Sequence, residues 1–204
     1  MLSVVLLGAN NSGRSTLAKA CLGESTHTPL RPDSPSAFHV IHPERNAAAV
    51  VLDPKPRARR NALARQLAKH TPAATLLTLP RDVTDTESAF RHVRDFAALS
   101  RLHHPDTPLA LAVTKTRWAR PPLEAFRFEQ LTLTAMRELE LQQIFYTDAG
   151  SGELGGVHHW LLDVLHQAAQ TESAQTDTFD GLEQCLLGGD PEQSQRSCDT
   201  CVLL

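Results

Sequence analysis

The sequence predicts an α/β protein built on a largely parallel central sheet flanked by helices. Two observations carry this. Short apolar runs alternate with segments of helical spacing along most of the chain, the pattern of strands joined through crossover helices. A glycine-bounded turn also links the first apolar run directly to the first helical pattern.

Leu2-Leu7 reads as a buried strand that ends at Gly8, and Arg14-Leu22 as the helix that follows. Ala37-His42 and Ala47-Leu52 are strands expected to form a hairpin across Pro43-Asn46; Pro54 and Pro56 then stop the second. Arg57-His70 has helical apolar spacing at Leu63 and Leu67. Thr75-Leu79 is the next strand. Glu87-Leu102 is a helix, with Phe90, Val93, Phe96, Ala97 and Leu102 near one face and Asp85 or Thr86 as its cap. Leu109-Val113 is a strand, Leu123-Leu139 mostly helix, Gln143-Tyr146 a strand and Glu153-Ala169 a final helix. No internal repeat is visible. Two parts are expected: a folded domain over 1-170, and over 171-204 a disordered acidic tail rich in Gln, Ser and Thr.

The chain has 204 residues, 41% of them hydrophobic, enough for one domain with a sizeable core. Its net charge is -3, which gives no general attraction to nucleic acid. The charge is uneven. From Thr171 to Leu204 there are seven acids and one base, so the tail is about -6 and the body about +3. Met1-Leu7 is too short for a signal peptide, and no apolar run approaches the roughly 20 residues of a spanning helix. A cytosolic protein with reduced thiols is expected. Of the four cysteines, Cys185, Cys198 and Cys201 fall in the tail, which points to chemistry there rather than to a disulfide core.

The first motif is Gly8-Ala9-Asn10-Asn11-Ser12-Gly13-Arg14-Ser15, between a strand and a helix. Glycines let the backbone curl so that amides point inward, and the helix N-terminus adds positive potential, the physical basis of a phosphate-binding loop. Asn11, Ser12, Gly13, Arg14, Ser15 and Thr16 are its candidate ligand contacts, with Ser15 placed for Mg²⁺. Arg14 stands where that loop pattern has Lys; its planar fork is bulkier than an ammonium. The bland alternative is a glycine-rich turn without a ligand.

Further on, Leu76-Leu77-Thr78-Leu79-Pro80-Arg81-Asp82-Val83-Thr84-Asp85 is followed by Glu87-Ser88-Ala89-Phe90, and His104-Pro105-Asp106-Thr107-Pro108 precedes the next strand. With the first motif, these stretches resemble the Ras superfamily of small GTPases, its Rab and Ras branches most, over residues 2-169. The resemblance implies a Ras-like G domain of the P-loop NTPase class, GTP and Mg²⁺ as cofactors if binding is retained, and effector or regulatory proteins as partners through the switch regions.

The functional letters depart from that family. Thr114-Lys115-Thr116-Arg117 falls where the family has Asn-Lys-x-Asp, which reads guanine. Arg117 offers only donors at the carboxylate position, Thr114 replaces the Asn that braces the phosphate loop, and the Lys115 stem remains to cover a base. Asp148-Ala149-Gly150 replaces the Ser-Ala-Lys loop. Asp53-Pro54-Lys55-Pro56 replaces Asp-x-x-Gly: Asp53 is a candidate for Mg²⁺, but Pro56 has no N-H for the γ-phosphate. Arg57 stands where a Gln orients the attacking water. Thr28-Pro35 holds three prolines where a Mg²⁺-binding Thr is expected; drift after loss of function is the preferred reading, a locked binding loop the other. No catalytic residue is assigned, and hydrolysis is not expected.

The chain ends in Cys201-Val202-Leu203-Leu204, which fits a prenylation box favouring geranylgeranyl. This implies a prenyltransferase as partner and a lipid anchor on the cytoplasmic face of a membrane. A single lipid anchors weakly, and Cys198 is the candidate for a second, palmitoyl, chain. Cys198-Asp199-Thr200-Cys201 lacks the helix or second cysteine pair that a redox or zinc role needs. Lys55, Arg57, Arg59, Arg60, Arg65 and Lys69 form a basic run that reads as a solvated face or as a contact for anionic lipid or an acidic partner. The ten histidines give no metal site; His158 and His159 project about 100° apart on a helix.

Overall fold

The computed structural model describes residues 2–9, 11–22, 37–42, 47–52, 64, 65, 67, 68 and 71–186. The elements run β1 (Leu2–Gly8), α1 (Arg14–Leu22), β2 (Ala37–His42), β3 (Ala47–Leu52), β4 (Ala74–Pro80), α2 (Thr86–His103), β5 (Leu109–Thr114), α3 (Pro122–Glu138) and β6 (Gln143–Tyr146). A 3-10 turn (Ala149–Ser151) and α4 (Val157–Leu186) complete them.

The six strands form one sheet in the order β2-β3-β1-β4-β5-β6. The expected hairpin is present: β2 pairs antiparallel with β3, from Ala37 opposite Leu52 to His42 opposite Ala47. Every other pairing is parallel. β4 and β5 are buried at every position, which explains why they do not alternate apolar with exposed polar residues: a strand covered on both faces has no solvent side, and the threonines Thr75, Thr78 and Thr114 are buried with their hydroxyls hydrogen-bonded.

Alternation within each strand sends side chains to two cores. On one face Val4 and Leu6 of β1 pack with Leu17, Ala18 and Cys21 of α1 and with Val157, Leu161 and Leu165 of α4. On the other, Leu77, Leu79, Leu111 and Val113 pack with Phe90, Val93 and Ala97 of α2 and Phe128 and Ala135 of α3. The Phe90 and Phe128 rings meet edge to face, centroids 5.5 Å apart. Asp85 is the cap of α2, its Oδ1 accepting from the Ser88 amide at 3.0 Å.

Two expected boundaries differ. α4 begins at Val157 rather than Glu153, because Gly155 and Gly156 take left-handed φ values of 54° and 82°. At Gly155 a Cβ would overlap the Tyr146 carbonyl oxygen. The helix also runs to Leu186 rather than ending at Ala169. No proline interrupts residues 170–186, and Ala, Glu, Gln and Leu there are good helix formers. The chain divides into two units, Met1–Leu165 and His166–Leu204. In the second, Thr171 Oγ1 donates to the Gln167 carbonyl, as helical Thr side chains do. Of the helix expected at Arg57-His70, the described part is a turn in which the Ala68 amide donates to the Ala64 carbonyl and Leu67 is buried.

Burial pushes the Cys21 thiol from its ordinary value near 9.0 up to about 12. Its proton is therefore held more tightly in the folded state. The stability Cys21 contributes is whole below the unfolded thiol pKa and falls as pH rises toward 12. The difference in unfolding free energy between the parent and Cys21→Ala, measured in urea, is expected to be constant from pH 6 to 8 and to shrink from pH 9 upward. A difference unchanged to pH 10.5 would contradict the burial of this thiol.

Candidate functional site

The candidate phosphate loop lies where the C-terminal ends of β1, β4 and β5 meet. Gly8 closes β1 opposite Thr78 of β4. A Cβ there would overlap Thr78 Oγ1, so only glycine fits. Asn11 and Gly13 take φ values of 60° and 80°, and α1 begins at once with Arg14. Asn and Gly tolerate this left-handed region best, so the sequence is locally suited to the curl.

Hydroxyls from the neighbouring strands hold the loop. Thr78 Oγ1 donates to the Leu7 carbonyl at 3.2 Å, which leaves the Ser12 hydroxyl to donate to Thr78 Oγ1 at 2.7 Å. Thr114 Oγ1 donates to the Ser12 carbonyl at 2.8 Å. Thr114 thus braces the loop itself, a role the sequence comparison had treated as lost with the Asn. Arg14 is buried, at 6% exposure, while Ser15 and Thr16 are exposed. The N-terminus of a helix carries partial positive charge, which favours an anion at this end of the site.

The charged residues that follow β5 and β6 are arranged differently. Lys115, at φ 58°, places Nζ 2.6 Å from Asp82 Oδ2 in an ion pair. Arg117 Nη2 donates to Glu153 Oε1 at 2.8 Å, and its Nε lies 3.8 Å from Asp148 Oδ2. The hydrogen bond to Glu153 and the charge of that carboxylate raise the Arg117 pKa further. The carboxylates approach because Asp148 and Glu153 form a two-residue antiparallel bridge, with amide-to-carbonyl distances of 2.6 and 3.1 Å around a turn at Gly152. Ala149 starts that turn. The structure therefore brings together Arg117, Asp148 and Ala149 of the expected set, and adds Glu153.

A further arginine fixes the loop that carries Asp82. Arg120 is 4% exposed, donating from Nε to the Arg81 carbonyl and from Nη2 to the Val83 carbonyl, both at 2.6 Å, and from Nη1 to Thr86 Oγ1 at 3.3 Å. Its guanidinium carbon sits 4.9 Å from the Phe128 ring centroid. Burial lowers its pKa. The loop it holds borders a cleft of about 400 Å³ that also includes Asn11, Thr78, Val93, Phe96 and Lys115. Sequence reasoning did not single out Glu153, Asp82 or Arg120 as site residues. Asp82 was visible only as part of the quoted Asp82-Val83-Thr84-Asp85 turn.

The two ends answer differently to a nucleotide. The curled loop opens at the N-terminus of α1, where an anion is favoured. The guanidinium of Arg117, engaged by two carboxylates, does not fit the donor edge of guanine. Asp53, Pro56, Arg57, Thr28-Pro35, Cys198 and Cys201 lie outside the described residues. Among the described residues no group of three or more His, Cys, Asp or Glu could hold a metal ion, and no helix is long and apolar enough to cross a membrane.

No protein-family model matches this sequence, and no curated protein matches it. Among solved structures, the chain is similar to an ADP-ribosylation-factor-like GTP-binding protein, the small COPII coat GTPase Sar1 of Encephalitozoon cuniculi, in a crystal structure with GDP. The TM-score is 0.59 at 21% identity, covering 84% of this chain and 83% of that one. With the strand order, the parallel sheet and the glycine loop at its C-terminal edge, this likeness shows that the chain has the α/β P-loop fold of the Ras-superfamily small GTPases.

Proposed function

We propose that this chain is a lipid-anchored pseudo-GTPase, which recruits or competes for partners at a cytosolic membrane surface in signalling or vesicle traffic. The observation that carries the reading is the Arg117 guanidinium, paired with Glu153 and Asp148 where the family has a guanine-reading carboxylate. Guanine presents N-H donors on that edge, and Arg has no acceptor to offer them. Each donor left unpaired on binding costs about 1–3 kcal/mol. Arg117 would also have to exchange its Glu153 contact for a contact with the base. Pro56 and Arg57 in the sequence remove the amide and the glutamine that γ-phosphate sensing and water positioning use.

The membrane part of the proposal rests on Cys201-Val202-Leu203-Leu204. A geranylgeranyl chain on Cys201 supplies apolar area worth about 0.8 kcal/mol per buried CH₂. The acidic tail opposes it near an anionic leaflet, over roughly a Debye length. A palmitate on Cys198 is the second anchor this balance calls for.

The glycine-bounded loop ahead of α1 favours one other reading, an atypical nucleotide switch with weak or absent hydrolysis. The left-handed turn at Asn11 and Gly13 leads straight into the N-terminus of α1, where phosphate is favoured, and Ser15 and Asp53 are the side chains that would hold Mg²⁺. Bound Mg²⁺ would neutralise phosphate charge there. The neighbour of known structure holds GDP.

Competition titration separates these readings from an ordinary GTPase. With Arg117 in place, GTP and ATP are expected to differ in affinity by less than about tenfold, or 1.4 kcal/mol. A preference for GTP of more than about a hundredfold would sink the pseudo-GTPase reading. The anchor is tested separately, by fractionating eukaryotic cells that express the full chain. Cys201→Ser is expected to move the protein to the soluble fraction, and Cys198→Ser to shorten its membrane residence. Membrane recovery of Cys201→Ser equal to the parent's would refute the lipid anchor.

A further inference from the structure

Helix α3 carries two apolar faces, and the core uses one. Phe128, Thr132 and Ala135 point inward and are buried. Leu123, Phe126 and Leu133 lie on the other side at helical spacing and are 64%, 62% and 47% exposed. Phe126 and Leu131 also line a cleft of about 600 Å³ between α3 and the first turn of α2. Large apolar side chains gathered on one face and beside a cleft mark an interaction surface more often than scattered single ones do.

The rim decides what kind of partner fits. Asp85, Glu87 and Glu124 line the same cleft, against Arg127 as its cation. Glu87 and Glu124 are exposed, and Glu124 lies 3.9 Å from the Arg120 guanidinium. Asp85 commits one oxygen to the Ser88 amide. An apolar partner without charge would strip water from these carboxylates and return nothing, which costs free energy. An anionic membrane surface would be repelled. A partner that sets apolar side chains over Phe126 and Leu131 and Lys or Arg beside Glu87 and Glu124 meets both demands. The part of α3 that lines the cleft, from Glu124 to Leu131, is about 10 Å long, which matches two turns of a docked helix.

We propose that the cleft between α2 and α3 docks a cationic amphipathic helix of a partner protein, in the helix-in-groove mode. None of the residues that line this cleft belongs to the nucleotide-site residues named above. The proposal holds whether or not the chain binds nucleotide, so its failure leaves the pseudo-GTPase reading standing.

The probes are a fluorescein-labelled amphipathic peptide of Leu and Lys at helical spacing and its Leu–Glu counterpart, each titrated into the full chain and followed by anisotropy. The parent is expected to bind the cationic peptide and not the anionic one, with affinity that falls as salt rises. Phe126→Ser is expected to weaken binding at least about tenfold. Glu87→Lys combined with Gln130→Lys is expected to lose the cationic peptide and gain the anionic one. All three positions are exposed, and unchanged thermal melting confirms that the variants fold. The proposal is overturned if the parent does not bind the cationic peptide, or if the variants bind it as the parent does. It is also overturned if sedimentation velocity shows parent self-association that Phe126→Ser abolishes, which would make the occupant a second copy. Binding to anionic vesicles that Phe126→Ser abolishes would equally make the surface a membrane contact.

Discussion

Everything at the site depends on how closely β1 approaches β4 at Gly8. No side chain fits between Gly8 and Thr78, so the two strands stay in register to their ends and the Thr78 hydroxyl reaches both the Leu7 carbonyl and Ser12. The chain must then turn sharply, which the left-handed residues Asn11 and Gly13 allow. Thr114, at the end of the next strand, anchors the far side of the turn through the Ser12 carbonyl. Three adjacent strand ends thereby shape one loop, at the edge of a parallel sheet where ligands bind in such folds. The position of Arg14 and the start of α1 follow from that turn.

The charges around this frame have been rearranged without being left unbalanced. The Arg117 guanidinium is met by Glu153 and Asp148. Lys115 is paired with Asp82. The Arg117 pairs are well exposed, and exposed pairs contribute little to stability, so their weight lies in the chemistry they present to a ligand. Arg120 is different. It is buried, and the carbonyls it satisfies belong to the turn that holds Asp82. Removing it would leave those carbonyls without their donors, and the turn would lose its fixed shape. The loop after β1 is thus held by strand hydroxyls, while the cluster around Arg117 presents a guanidinium between carboxylates.

Much of this was legible in the sequence because it depends on local rules. Short, mainly apolar runs revealed β4 and β5, the paired runs Ala37-His42 and Ala47-Leu52 suggested the hairpin, and the carboxylate of Asp85 signalled the start of α2. The donor character of Arg117 followed from residue type alone. The missing pieces depend on contacts that spacing does not encode. Glu153 reaches Arg117 only through the bridge across the turn at Gly152, and Arg120 reaches the β4–α2 loop from 39 residues away. Thr114 read as the loss of a brace, because only the structure shows its hydroxyl at the Ser12 carbonyl. The end of α4 was misplaced for another reason: polar composition alone suggested a stop, and residues 170–186 contain no proline to impose one.

The central claim is that a small-GTPase fold here carries a site that does not select guanine nucleotide. The most direct measurement is of what the native chain holds when purified from cells in the presence of Mg²⁺ without added nucleotide. The protein is denatured, and the released nucleotide is identified and quantified by anion-exchange chromatography against protein concentration. The account predicts GDP and GTP together far below one equivalent, with no enrichment over adenine nucleotides. About one equivalent of guanine nucleotide per chain would contradict it.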